Sequence, residues 1–78
     1  MDRDQEARRW HDYLSALARV QFDPRLRGKI DLSGVVQQTV LEACQKRPQF
    51  PAEHPAQELA WLRRILVDHL ADELRKLA

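Results

Sequence analysis

The sequence predicts an all-α protein, a compact bundle of three helices forming one domain over residues 1–78. Three stretches place apolar residues at steps of three and four, the spacing that lines one face of a helix. No stretch alternates apolar and polar residues with a period of two, so no strand is expected. The four prolines fall between the helical stretches. With 44% hydrophobic residues, the chain can build a shared core for three amphipathic helices.

The first predicted helix runs from about Arg3 to Phe22. Asp23 and Pro24 end it, because proline disfavours helical geometry in the residue before it. The segment Pro24–Lys29 is long enough for a short helical turn, which would add a fourth short helix to the bundle. The apolar stripe of the first helix consists of Ala7, Trp10, Leu14, Leu17 and Ala18.

The second predicted helix spans residues 32–47 and has a recognisable start. Asp31 is the expected N-cap, with Ser33 as the competing residue, since both side chains accept hydrogen bonds from exposed backbone amides. Lys46 and Arg47 suit the negative end of the helix dipole, and Pro48 closes the helix. The expected buried face is Leu32, Val35, Val36, Val40, Ala43 and Cys44.

The third predicted helix spans about residues 56–77, after a proline-containing loop over Gln49–Ala56. Arg64–Asp68, Asp72–Arg75 and Asp72–Lys76 have the spacing of ion pairs on one helix. The expected apolar face is Leu59, Leu62, Ile65, Leu66, Leu70, Leu74 and Leu77.

Charge and cysteine content limit the classes of function. Thirteen Lys and Arg against twelve Asp and Glu give a net charge of +1, which is not typical of a strongly basic DNA-binding protein. Any contact with nucleic acid must therefore come from a local patch. One cysteine, Cys44, cannot form an intramolecular disulfide, which fits a reducing cytoplasm. The polar N-terminus and the absence of a long apolar run predict a cytoplasmic protein without a membrane partner.

Enzymatic and metal-binding functions are disfavoured. His11, His54 and His69 lack the close spacing of metal ligands, so we expect no metal and no cofactor. His69 beside Asp72 or Glu73 has no accompanying nucleophile, which favours simple surface pairing over an acid–base pair. We expect Cys44 to be a small core residue.

Two sequence blocks are more specific than this general pattern. The first is DLSGVVQQTVLEA over residues 31–43, and the second is ELAWLRRILVDHLADELRK over residues 58–76. In order and spacing they resemble region 2 of the extracytoplasmic-function sigma factors of bacterial RNA polymerase. The matching positions are Val36-Gln37-Gln38-Thr39, Phe50, Trp61-Leu62, Ile65, Asp72 and Arg75.

The resemblance implies a module that docks onto core RNA polymerase and opens promoter DNA at the minus-ten element. The glutamine-bearing helix would dock onto the clamp coiled coil through Asp31, Gln37, Gln38 and Glu42. The following loop and last helix would hold the non-template strand and capture one flipped base. Such a pocket needs apolar walls and hydrogen-bonding groups.

The nucleic-acid residues carry open alternatives. Phe50 is either a pocket wall or a core plug, and Trp61 is more simply explained as core than as a pocket residue. Asp68, followed by His69, stands where the family usually has asparagine; a carboxylate only accepts hydrogen bonds and repels phosphates. The basic candidates for phosphate contacts are Arg63, Arg64, Arg75 and Lys76, which pair alternatively with neighbouring acids.

Two other functions remain open. A helical adaptor that binds proteins but not DNA fits the low net charge and Asp68. A helix-turn-helix repressor fits less well, since the loop over Pro48–Pro55 is too long for its tight turn. Members of the resembled family usually carry a second domain (region 4) that is absent from this chain, so we expect a piece of a longer protein. Many members are also held inactive by an anti-sigma factor.

Overall fold

The structure, a computed structural model, describes residues 3–26, 28–49 and 54–77. Its first helix, α1, spans Arg3–Gln21. Trp10, Leu14 and Ala18 of the predicted stripe are buried, whereas Ala7 and Leu17 are half-buried at its edge. A 3-10 turn over Pro24–Leu26 follows, so the predicted fourth short helix is a single turn.

Helix α2 spans Leu32–Lys46, and the structure decides between its two candidate caps. Asp31 has extended backbone geometry, and its Oδ1 accepts a hydrogen bond from the Gly34 amide at 3.0 Å. This satisfies one of the amides that lack a partner in the first helical turn. Asp31 is therefore the N-cap. A second 3-10 turn, Arg47–Gln49, follows the helix.

Helix α3 spans Pro55–Leu77 and is the longest of the three α-helices in the described residues. Pro55 is its first residue, a position where proline is favoured because that amide has no helical partner. The Glu58 amide donates to the His54 carbonyl at 3.1 Å, which places His54 just before the helix. The described residues contain no strand, as expected for an all-α protein.

The core lies where the three helices meet. Leu14 of α1 and Leu62 and Leu66 of α3 are fully buried. Thr39 of α2 is also fully buried, and its hydroxyl donates to the Val35 carbonyl at 2.8 Å, so no polar group is left unsatisfied there. The remaining buried hydrophobic residues are Trp10, Ala18, Phe22, Ile30, Val35, Val36, Ala43, Ile65 and Leu70.

Cys44 corrects the predicted buried face of α2. Its side chain is exposed, so it is not a core residue. Each residue of an α-helix advances about 100° around the axis, and Cys44 follows the fully buried Ala43 by one such step. The buried face of α2 includes Thr39 rather than Cys44. Leu32 and Val40 are half-buried against the core.

The predicted leucine face of α3 is buried only in its middle. Leu59, Leu74 and Leu77 are 40%, 41% and 45% exposed, respectively. Helix α3 has 23 residues against 15 in α2, a difference of about 12 Å at 1.5 Å per residue. Its two ends therefore have less neighbouring helix to pack against. No helix among the described residues is long and apolar enough to cross a membrane.

Aromatic packing and ion pairs fasten α1 to α3. The Trp10 and Trp61 rings meet edge to face, with centroids 5.8 Å apart. The Trp10 indole N–H donates to Glu58 Oε1 at 3.2 Å, and Arg47 lies 3.8 Å from the same oxygen. Arg47 also lies 4.0 Å from Glu6 of α1. The start of α3 is thus held against α1 by contacts that join distant parts of the sequence.

Candidate docking and nucleic-acid interface

The outward side of α2 carries glutamines around an exposed leucine. Gln37, Gln38 and Gln45 are exposed, and Leu41 is 58% exposed at their centre. Leu41 follows Gln38 by three residues and Gln37 by four, and Gln45 follows Leu41 by four, so the four side chains are neighbours on one helical surface. We call Gln37, Gln38, Leu41 and Gln45 the glutamine face. It contains no charged residue.

Glu42, at the edge of this face, is engaged within the protein. Lys46 Nζ lies 2.9 Å from Glu42 Oε2, and His69 Nε2 of α3 lies 2.9 Å from Glu42 Oε1. The hydrogen bond from Lys46 is the largest cause that lowers the pKa of Glu42 below its ordinary value; burial opposes it, and the His69 hydrogen bond adds a smaller lowering effect. Glu42 therefore lies at the junction of α2 and α3, where each carboxylate oxygen has a partner.

The four basic residues predicted to contact phosphates fall into two groups. Arg75 pairs with Asp72, and Lys76 pairs with Glu73 at 2.9 Å. Arg63 and Arg64 are exposed and form no ion pair within the described residues. The predicted Arg64–Asp68 pair is thus not formed.

The predicted Asp72–Lys76 pair is also not formed. The Asp72 carboxylate is occupied by Arg75, and Glu73 takes Lys76 from three residues away. The structure thus confirms the Asp72–Arg75 pair alone among the three predicted pairs.

A small polar cleft joins the two predicted surfaces. It has a volume of about 160 Å³, and Gln38 of α2 and His69 of α3 both line it. The cleft continues along α3 past Asp72, Glu73 and Lys76. The expected partner of His69 was Asp72 or Glu73, but its contact is with Glu42 on the other helix. Asp68 beside it is exposed.

The two aromatic candidates have different outcomes. Trp61 is half-buried and packs against the core, in agreement with its simpler interpretation as a core residue. Phe50 lies outside the described residues, so both of its predicted roles stay predictions. Asp31 is exposed at the start of α2, where its carboxylate is used as the cap.

Sequence reasoning missed two residues that shape this region. Thr39 was not expected in the core, although it lies between Val35 and Ala43 at steps of four, which is a buried-face signal. The exposure of Leu41 had no signal beyond its flanking glutamines. Among the described residues, no group of three or more His, Cys, Asp or Glu side chains is placed to hold a metal ion. No family model, no curated protein and no solved structure matches the chain.

Proposed function

We propose that this chain is a transcription initiation module that resembles region 2 of extracytoplasmic-function sigma factors. In this proposal α2 docks onto the clamp coiled coil of core RNA polymerase. Helix α3 and the loop before it engage the non-template strand of the promoter. The proposal rests on the two sequence blocks described above and on the arrangement of the helices that carry them.

The observation that carries the proposal is the uncharged, exposed glutamine face. A helix side that only meets water is usually rich in charge, as on α1, where Arg8, Arg9 and Asp12 are exposed. The centre of a protein interface is instead depleted of charge and holds apolar anchors. Leu41, ringed by glutamines that can hydrogen-bond across an interface, has this character. The face lies on the sequence block that resembles the docking helix of the family.

The nucleic-acid part of the proposal is supported by a neighbouring surface. Arg63 and Arg64 are exposed, and their guanidinium groups are available for phosphate oxygens. Helices α2 and α3 pack against each other through the core and through the Glu42–His69 contact. A docked polymerase would therefore hold α3 in a fixed position relative to the melting promoter strand.

The test is capture of purified core RNA polymerase by this domain on beads. The wild-type domain should retain the polymerase, and Gln38→Ala combined with Glu42→Ala should weaken retention. Leu41→Ala should weaken it about tenfold or more, since interface anchors cost over about 1–2 kcal/mol when truncated. The matched control is Gln5→Ala with Gln21→Ala, two exposed glutamines of α1. Equal capture by the wild-type domain and the Leu41 variant would contradict docking through this face.

A second function, a helical adaptor without DNA binding, is favoured by a specific observation. Two of the four candidate phosphate contacts, Arg75 and Lys76, are already paired with acids, and Asp68 is exposed on the same helix. An adaptor would use the glutamine face but would not bind single-stranded promoter DNA, even at low salt. A repressor would prefer duplex DNA. Comparing single-stranded and duplex oligonucleotides therefore separates the three functions.

A further inference from the structure

We infer that a groove between α1 and α2 binds a short aliphatic carboxylate. The groove has a volume of about 310 Å³. This is at the small end of the range of about 300–1,000 Å³ that is typical of ligand pockets. The site is independent of the proposed function, because it lies on a different side of α2 from the glutamine face. Val36 of the groove and Leu41 of that face are five residues apart, which is about 140° around the helix.

Small side chains on α1 create the groove. Ser15 and Ala18, which lie about one turn apart, are too short to fill the space against α2. Leu32 and Val36 of α2 line the other side. Ala18 and Val36 are both only 2% exposed, and Leu32 is half-buried against the core. Ala18, Leu32 and Val36 thus form an apolar floor, which would remove the hydrocarbon part of a ligand from water.

The polar side chains of the groove are hydrogen-bond donors. His11, Ser15 and Arg19 recur at steps of four, so they lie in a row along one side of α1. Ser33 of α2 adds a second hydroxyl. His11 Nδ1 lies 3.9 Å from Asp12 Oδ1, which is longer than a hydrogen bond. Hydroxyl, imidazole and guanidinium groups can all donate to a carboxylate, and the guanidinium fork matches its two oxygens.

Arg19 is the cation of the groove, and it forms no ion pair within the described residues. Asp23 follows Arg19 by four residues, a spacing that suits an ion pair, but Arg25 Nη2 holds its Oδ2 at 2.9 Å. No Asp or Glu of the described residues lines the groove, whereas Asp72 and Glu73 line the cleft beside α3. An anion in the groove would therefore meet donors without an opposing carboxylate.

A compact anion with a short hydrocarbon chain fits both the donors and the apolar floor. The volume leaves little room for a nucleotide, and no Phe, Tyr or Trp of the described residues lines the groove to stack on a base. An inorganic anion would leave the apolar floor unused. The charged head and the hydrocarbon chain of the ligand should therefore both contribute to affinity.

Nuclear magnetic resonance of the isotope-labelled whole chain tests the site, with hexanoate as the probe. Hexanoate should shift the backbone amides of Ser15, Arg19 and Ser33 saturably. Its Kd should be on the order of 1 mM, as expected for a ligand of few heavy atoms. Inorganic phosphate has no hydrocarbon chain, and hexylamine has the opposite charge, so each should bind at least about fivefold more weakly.

Variants of the donors separate this site from weak binding elsewhere. Arg19→Ala should weaken hexanoate binding about fivefold or more, because it removes the charged donor, and Ser33→Ala should weaken it about twofold. Arg9→Ala, at an exposed position of α1 outside the groove, is the matched control and should keep the wild-type Kd. Circular dichroism should show unchanged helix content in all three variants. Shifts that do not saturate, a wild-type Kd in the Arg19 variant, or equal binding of hexanoate and either other probe would each overturn the inference.

Discussion

At the scale of single residues, the most informative position is Thr39, the buried polar side chain of the core. Its hydroxyl donates to the Val35 carbonyl one turn earlier, and that carbonyl already lies within the regular bonding of the helix. The hydroxyl is therefore satisfied without holding another element in place. Burying this hydroxyl therefore leaves no polar group without a partner. For stability, the shape of the Thr39 side chain matters more than its hydrogen bond.

We predict that Thr39→Val keeps the free energy of unfolding within about 1 kcal/mol of wild type, because no buried partner is left unsatisfied. Thr39→Ala should lower it by about 1–2 kcal/mol, since it also removes a buried methyl group. Urea unfolding monitored by circular dichroism measures both. A Val variant less stable than the Ala variant would mean that the hydroxyl has a structural role beyond this bond.

Asp68 allows a residue-scale test of the proposed nucleic-acid surface. We predict that Asp68→Asn tightens binding of a single-stranded non-template oligonucleotide by about twofold to tenfold, because one added neutral hydrogen bond contributes about 0.5–1.5 kcal/mol. Loss of a negative charge near phosphates acts in the same direction. Asp12→Asn on α1, also exposed, is the matched control and should leave affinity unchanged. Unchanged affinity for the Asp68 variant would remove this residue from the binding surface.

At the scale of elements, the start of α2 contains a conflict between two favourable features. Asp31 caps the helix through the Gly34 amide, and a Cβ added at Gly34 would lie 2.7 Å from Asp31 Oδ2. An alanine at position 34 would favour the helix, but it would displace the carboxylate that caps it. The glycine is thus explained by the neighbouring cap rather than by its backbone angles.

A double-mutant cycle tests this explanation. Gly34→Ala alone should change stability little, because about 1 kcal/mol gained in helix propensity is offset by about 1 kcal/mol lost in capping. In an Asp31→Ala background, the same change should stabilise by about 1 kcal/mol. Ser33→Ala should have a small effect, since Ser33 is not the cap. If Gly34→Ala changed stability equally in both backgrounds, the explanation that its Cβ displaces the Asp31 cap would be wrong.

The contacts of Glu42 at the junction of α2 and α3 should make the free energy of unfolding depend on pH. Lys46 first, and His69 after it, lower the pKa of Glu42 in the folded protein. A lowered carboxyl pKa contributes stability that is present above the unfolded value and is lost as pH falls through the folded value. Wild type should therefore lose stability relative to Glu42→Gln as pH falls below the ordinary glutamate pKa of 4.5. Thermal unfolding of both proteins at a series of matched pH values measures the difference in stability. A difference that does not change with pH would contradict the prediction.

The elements also show what the sequence alone could establish. Helix positions, the proline boundaries and the Asp31 cap follow from local rules, and the structure agrees with them within one residue or so. Contacts between residues far apart in the sequence did not follow from these local rules. The Glu42–His69 pair and the Trp10–Glu58 hydrogen bond join residues 27 and 48 positions apart, and only the packing of the helices brings them together. Cys44 was misassigned because neighbouring positions of a helix differ by about 100° in direction.

At the scale of the whole molecule, the domain is elongated, with extents of 39 × 19 × 19 Å. Helix α3 is about 34 Å long at 1.5 Å per residue, so it runs along most of that length. Docking on α2 and nucleic-acid contact on α3 would thus use adjoining surfaces of one narrow body. With a net charge of +1, any attraction for nucleic acid must come from few residues rather than from the overall field.

The salt dependence of single-strand binding should show how many residues contact phosphates. Each phosphate contact contributes about −0.7 to the slope of log affinity against log salt concentration, so contacts from Arg63 and Arg64 alone predict a slope of about −1.4. Arg63→Ala should reduce its magnitude by about 0.7. Arg75→Ala should leave the slope unchanged, because Arg75 is paired with Asp72. A slope near −2.8 would mean that Arg75 and Lys76 leave their acidic partners to contact phosphates, since four contacts would then be made. A slope near zero would mean that the arginines do not contact the strand and would favour the adaptor.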